Sequence, residues 1–134
     1  MALANGNGGF QIGTGNPSDA VMWSVNFLAL TGDTTLTAAQ LVSSVVTCNK
    51  GSDAGLTVTS PTAALIDAHL PNAKVGSCFE VVINNDNDSG ASSTVTFEVG
   101  TGVKLYGSDT VARHGSAVYY FVKTAAGAWS AFLV

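Results

Sequence analysis

Residues 78–84 and 93–99 read CFEVVIN and STVTFEV, and they decide the fold class. In both stretches, apolar side chains recur at a spacing of two, which is the period of a β-strand with one face in a core. Residues 84–92 between them consist mostly of Asn, Asp and Ser, with one Gly, and these are turn-forming residues. The pattern predicts two strands that pair as a hairpin.

The same alternation predicts a second hairpin at the end of the sequence. Its strands are residues 117–124 and 128–134, joined by Ala125-Ala126-Gly127. Strand 117–124 is apolar on both faces, which is typical of a strand at the centre of a sheet or at a subunit contact. Four further strands are predicted at residues 21–30, 45–49, 55–60 and 103–106.

Two short helices interrupt the strands. The first is predicted at Thr37, where Gln40 stands three residues later and completes a capping box. Leu36 and Leu41 have the spacing of a hydrophobic staple around that cap. The second helix is expected to start at Ser60-Pro61, with the serine as cap and the proline in the first turn.

These elements predict an all-β chain with a single domain, a β-sandwich or jelly-roll-like fold with two short helical connections. We expect the domain to cover residues 20–134. Residues 1–19 are rich in Gly and Asn and are expected to form an extended N-terminal arm, with Leu3, Phe10 and Ile12 as its candidate interaction residues. The arm either becomes ordered on a neighbouring subunit or is a frayed terminus.

Composition predicts self-association. Of the 134 residues, 46% are hydrophobic and only 10% are charged, against about 25% charged in an average soluble domain. A small domain with so few charges leaves apolar surface that another protein copy must cover. We therefore expect a homo-oligomer, and a trimer as its form.

The charge distribution argues against two classes of partner, and the first residues bear on where the protein is made. The net charge is −4, and the five cationic side chains are scattered singly, so neither nucleic acid nor an anionic membrane is an expected partner. The first residues lack the basic and apolar segments of a signal peptide, which predicts synthesis in the cytoplasm. In that reducing compartment Cys48 and Cys78 are expected to be thiols more often than a disulfide.

Candidate chemical sites have simpler interpretations. Asp67, His69 and Cys78 are close in sequence, but no nucleophile signature surrounds the cysteine. Residues 84–90 carry oxygen ligands without the spacing of an EF-hand, so a turn is favoured over a calcium site. His114 is expected in a surface turn. We predict no enzymatic activity, no cofactor and no metal.

Aromatic side chains could instead stack on sugars. Core or interface packing is the favoured interpretation, because most of them lie in or beside predicted strands. The candidates are Trp23, Tyr106, Tyr119, Tyr120 and Trp129.

Several runs of common residues in the range 34–134 carry a family resemblance. They are LTAAQL (36–41), LTV (56–58), PTAAL (61–65), LPNAKVGS (70–77), GTGVKLYGS (100–108) and GAW (127–129). The chain resembles small virion-associated proteins of tailed phages and large DNA viruses. The resemblance implies a capsid decoration (cement) protein on the outer surface of the virion, bound to the major capsid protein. The alternative is a tail-fibre or spike module that binds carbohydrate on the host surface.

Overall fold

A computed structural model of the chain describes residues 25–90 and 93–134. Strands dominate these ranges and form two sheets, which confirms the β-rich fold class. The strands are β1 (Asn26–Leu30), β2 (Thr34–Thr35), β3 (Ser44–Cys48), β4 (Leu56–Thr59), β5 (Cys78–Asn85), β6 (Thr94–Glu98), β7 (Val103–Tyr106), β8 (Thr110–Ala112), β9 (Ser116–Ala125) and β10 (Ala128–Leu133). The helices are α1 (Ala38–Leu41) and α2 (Ala63–His69).

The chain alternates between the two sheets. One sheet has six strands in the order β1-β3-β5-β9-β10-β7, and the other has four in the order β2-β4-β6-β8. From β1 to β9, each strand lies in the sheet opposite to the strand before it. Of the eight strand pairings in the described chain, five are parallel. Jelly rolls are built from antiparallel strands, so the parallel pairing is a difference from the predicted pattern.

Strands β1, β3 and β5 pair in register in the larger sheet, and β4 and β6 do so in the smaller sheet. In the larger sheet Leu28, Val46 and Ile83 occupy equivalent positions on β1, β3 and β5. In the smaller sheet Val58 on β4 lies beside Phe97 on β6. Because side chains alternate along a strand, each row of equivalent positions falls on one face of its sheet. These particular rows point inward.

The inner faces of the two sheets share one core. Phe97 from the smaller sheet meets Tyr119 and Phe121 from β9, with ring centroids 4.7 and 6.1 Å apart. Phe79 stacks on Phe121 at 5.1 Å and lies 5.6 Å from Trp129. Aromatic rings at these distances add about 0.5–1.5 kcal/mol per pair to the burial of apolar area. The core therefore joins the sheets through β5, β6, β9 and β10.

The predicted hairpin of residues 78–84 and 93–99 is wrong, although both strands exist. Strand β5 pairs with β3 and β9, whereas β6 pairs with β4 and β8 in the other sheet. The buried Asn85 side chain links the two sheets at this crossing, because its amide donates to the carbonyl oxygens of Ser93 and Val111 at 3.3 and 3.1 Å. The loop after β5 thus carries the chain across the core instead of reversing it within a sheet.

Helix α1 has the predicted cap. The Thr37 hydroxyl accepts a hydrogen bond from the main-chain nitrogen of Gln40, and the side-chain oxygen of Gln40 accepts one from the main-chain nitrogen of Thr37. Leu36 and Leu41, the two staple residues, are buried in the core.

Helix α2 starts later than predicted, because its cap is Thr62 and not Ser60. Ser60 is buried, and its hydroxyl accepts from the Gly100 nitrogen at 3.0 Å. Its contact is therefore with the segment after β6, which sequence spacing does not reveal.

The closing hairpin of β9 and β10 is confirmed, with Ala125 opposite Ala128. Strand β9 lies between β5 and β10, which agrees with the predicted central position. The prediction missed the short strands β2 and β8. The arm at residues 1–19, with Leu3, Phe10 and Ile12, lies outside the described residues, as does the start of predicted strand 21–30. In the described ranges, both helices are too short to cross a membrane.

Candidate functional site

The outer face of the six-stranded sheet carries a row of apolar side chains. Phe27, Val45, Val82 and Val118 occupy equivalent positions on β1, β3, β5 and β9. Val134 continues the row, because its amide nitrogen donates to the Val118 carbonyl oxygen at 2.9 Å. Phe27 is 67% exposed and Val134 is 71% exposed. The row thus crosses the sheet as far as the end of β10.

An aromatic row lies beside it on the same face. Tyr120 pairs with Phe132, and Phe132 pairs with Tyr106 on β7. The Tyr106 and Phe132 rings stack with centroids 4.8 Å apart and planes inclined by 5°. The Lys104 ammonium lies 4.9 Å from the centre of the Tyr106 ring. All three aromatic side chains are about 40% exposed, so apolar rings face outward over three adjacent strands.

The edge of this aromatic row carries an acid. Glu80 lies opposite Tyr120 on β5, and its carboxylate accepts a hydrogen bond from the Tyr120 hydroxyl. This bond and the negative charge of Glu80 raise the pKa of Tyr120. The Tyr120 hydroxyl is therefore a neutral hydrogen-bond donor at physiological pH.

We call these two rows together the apolar face, and the outer face of the smaller sheet contrasts with it. There the equivalent outward positions on β4, β6 and β8 are Thr57, Thr96 and Thr110. Thr59 and Glu98 form the next outward pair. Threonine is a residue that suits a pleated, half-buried surface. At these positions the outer surface of the smaller sheet is polar, whereas the outer surface of the larger sheet carries the two apolar rows.

A largely buried ion pair joins α2 to the closing hairpin. The Asp67 carboxylate accepts from the Gly127 nitrogen at 2.7 Å and from the Trp129 indole nitrogen at 2.8 Å, and it pairs with the Lys123 ammonium at 2.9 Å. The hydrogen bond from Lys123 is the largest cause that lowers the pKa of Asp67, followed by those from Gly127 and Trp129, and together they take it to about 2. The Asp67 carboxylate therefore fixes α2 to the closing hairpin.

A cleft of about 490 Å³ lies at one end of the core, beside the start of β5. His69 and Cys78, which are close in sequence, both line it, together with Leu70, Phe79 and Trp129. Asp67 does not complete a catalytic set with them, because its oxygens face Lys123, Gly127 and Trp129. The cleft walls are mainly apolar, which suits the binding of an apolar group better than proton transfer.

The Asn-rich loop uses its side chains for its own structure. Asn85 and Asn87 are buried, and their side-chain oxygens accept from main-chain nitrogens two residues later, the geometry of Asx turns. The Asn87 amide donates to the Ser52 carbonyl oxygen at 2.7 Å. Arg113 donates to the carbonyl oxygens of Asn87 and Asp88. These contacts agree with the prediction that residues 84–90 form a turn.

The two cysteines are too far apart for a disulfide. Cys48 lies opposite Asn85, which is seven positions along β5 from Cys78 and therefore roughly 23 Å away. A disulfide requires Cα atoms within about 7 Å. Cys48 is buried, and burial raises the pKa of its thiol to about 11, whereas Cys78 is exposed. Both are free thiols.

Metal ligands do not cluster in the described ranges, where no three His, Cys, Asp or Glu side chains are placed to share an ion. No protein-family model, curated protein or solved structure matches this chain. The apolar face and the cleft are thus the two candidate functional features. Sequence alternation indicated apolar residues on β1 and β9, but it did not indicate which of their faces would lie outside.

Proposed function

We propose that the protein is a non-enzymatic structural subunit that associates with copies of itself through the apolar face. The observation that carries the proposal is the contrast between the two outer surfaces, since only the larger sheet presents aromatic and aliphatic rows. Full burial of one large apolar side chain is worth about 1.5–3 kcal/mol, so covering several half-exposed ones favours association. The low fraction of charged residues limits the charge repulsion that would oppose association.

The setting of this assembly is a virus particle. Its support is the resemblance of residues 34–134 to small virion proteins, and we propose a capsid decoration protein that forms a trimer on the outer shell. In this arrangement the major capsid protein is the second partner. The two facing sheets are then a β-sandwich that presents one surface to its copies and the threonine-rich surface to solvent.

Copy number in purified particles tests the proposed setting. Quantitative mass spectrometry of particles from a host that makes this protein should give hundreds of copies per particle, in proportion to the shell protein. A number closer to a dozen would place the protein in the tail and contradict a decoration role. Absence from particles would contradict the virion setting altogether.

A second candidate function is supported by the aromatic row. Tyr106, Tyr120 and Phe132 are each about 40% exposed, and sugars stack on exposed aromatic rings in carbohydrate sites. This would fit a tail-fibre module that binds host glycans. Glycan-array binding that is lost in Phe132→Ala, together with a protein that sediments as a monomer, would favour this candidate over self-association.

A further inference from the structure

The first row of the apolar face runs across the strands and not along them. We call it the valine-rich row, and its members from β1 to the end of β10 are Phe27, Val45, Val82, Val118 and Val134. Neighbouring strands are about 4.8 Å apart, so the row is roughly 19 Å long. Along a single strand the surface changes within two residues, since Val82 on β5 lies between Glu80 and Asn84 on the outer face. The valine-rich row is therefore narrow, and its length is perpendicular to the strands.

The two sides of the valine-rich row differ. On one side lies the aromatic row, with Glu80 at its edge. On the other side, the outward positions two residues along β1, β3, β5 and β9 pair with one another and are Ala29, Thr47, Asn84 and Ser116. We call these four residues the polar row, and none of them is charged or aromatic. Each copy thus carries large rings on one flank and shorter, uncharged side chains on the other.

This difference suits a closed ring of three copies. In such a ring each contact joins two different surfaces, one from each neighbour. Rotation about an axis parallel to the valine-rich row keeps every residue at its own level along that axis. The Tyr120 ring of one copy then faces Ser116 of the next, and Glu80 faces Asn84. The short side chains leave room for the rings, and each Glu80 carboxylate meets an uncharged residue and not a second carboxylate.

We propose that the threefold axis runs along the valine-rich row and that the aromatic row of each copy packs on the polar row of the next. This packing rests on the proposed function, because it places copies of the chain on the apolar face, and it adds the polar row to their contact. Cys78 stays outside the contact. It lies opposite Val122, which is two positions beyond Tyr120 and farther from the axis.

Cross-linking between the two flanks tests this packing. Glu80→Cys and Asn84→Cys are combined in a chain in which Cys78→Ser removes the exposed native thiol. Within one chain the two positions are four residues apart on β5, roughly 13 Å, which exceeds the reach of a bis-maleimide that spans about 8 Å. Between copies they face each other. The reagent should convert the double variant into a covalent trimer on denaturing gels, and each single variant should remain a monomer.

The outcomes separate this packing from the proposed function. A wild-type protein that sediments as a monomer contradicts both. A wild-type trimer whose double variant assembles without forming a covalent trimer contradicts the packing alone. A single variant that is cross-linked to a dimer would also overturn it, because like positions would then meet.

A change of size on the polar row is an independent test that keeps Glu80 and both native thiols. Ser116 is exposed and lies where the Tyr120 ring of the next copy packs. Ser116→Trp should weaken association at least tenfold in sedimentation equilibrium, because the added ring fills that space. Thr110→Trp, at an exposed outward position of the smaller sheet, is the matched control and should associate like the wild type. Equal association of the two variants would contradict the packing.

Discussion

Asp67 connects three parts of the molecule that are far apart in sequence. Its carboxylate on α2 bonds to Lys123 on β9, to the turn at Gly127 and to the Trp129 indole on β10. A single side chain thus fixes the helix against the closing hairpin. Lys123 looks like one of five scattered cations in the sequence, so neither partner was recognisable before the fold was known.

Asp67 makes stability depend on pH in the acid range. Its pKa falls from the ordinary 3.8 to about 2 on folding, so the stabilisation is complete above about pH 4 and is lost as the pH drops through about 2. Asp67→Asn should lower Tm at pH 7 and should flatten the loss of Tm between pH 4 and 2. Calorimetry across that range checks it, and an unchanged acid slope in the variant would contradict this role.

The two thiols should react differently. Burial raises the pKa of Cys48 to about 11, so this thiol is protonated and inaccessible at pH 8, whereas Cys78 is exposed. We expect one fast-reacting thiol per native chain and two after denaturation, measured by thiol titration. Cys78→Ser should remove the fast phase. A fast phase that persists in this variant would mean that Cys48 is accessible.

Among the helices and strands, features set by residues close in sequence could be predicted, whereas the pairing of β5 and β6 with distant strands could not. The start of helix α1 could be predicted to the residue, because Thr37 and Gln40 satisfy each other within one turn. The crossing from β5 to β6 could not be predicted, since alternation gives a strand and a facing side but not its partner. Asn85 makes its decisive contacts with Ser93 and Val111, 8 and 26 residues away.

Removal of the α1 cap should be measurable. Thr37→Ala deletes the hydroxyl that accepts from Gln40, and a lost N-cap costs about 1 kcal/mol. Denaturant unfolding should show a lower midpoint with an unchanged slope. Thr37→Ser, which keeps the hydroxyl, is the matched control and should unfold near the wild-type midpoint. Equal destabilisation in both variants would mean that the methyl group matters and the cap does not.

The apolar face belongs to the scale of the whole molecule. Strand β9 has apolar residues on both sides, and this pattern predicted either a central position or a subunit contact. In the fold, β9 is a central strand, and Tyr119 and Phe121 on its inner face lie in the core. We propose that Tyr120 and Val118 on its outer face form a subunit contact. The sequence could not separate the two, because both faces look alike until the opposite sheet is placed.

Metal removal should not affect the molecule. The oxygens of Asn85 and Asn87 serve turns, and no ligand cluster occurs in the described ranges. We expect the same Tm with and without EDTA. A fall of more than about 5 °C, equivalent to about 1 kcal/mol for a domain of this size, would reveal a structural ion.

Self-association through the apolar face is the central claim, and sedimentation velocity at micromolar concentration tests it most directly. We predict that the wild-type protein sediments as a trimer and that Phe132→Lys shifts it to monomer, because burial of a charge between Tyr106 and Tyr120 at the contact carries a large desolvation cost. Thr96→Lys, the matched change on the outer face of the smaller sheet, should remain a trimer. A wild-type monomer, or an oligomer that Phe132→Lys leaves intact, would contradict the account.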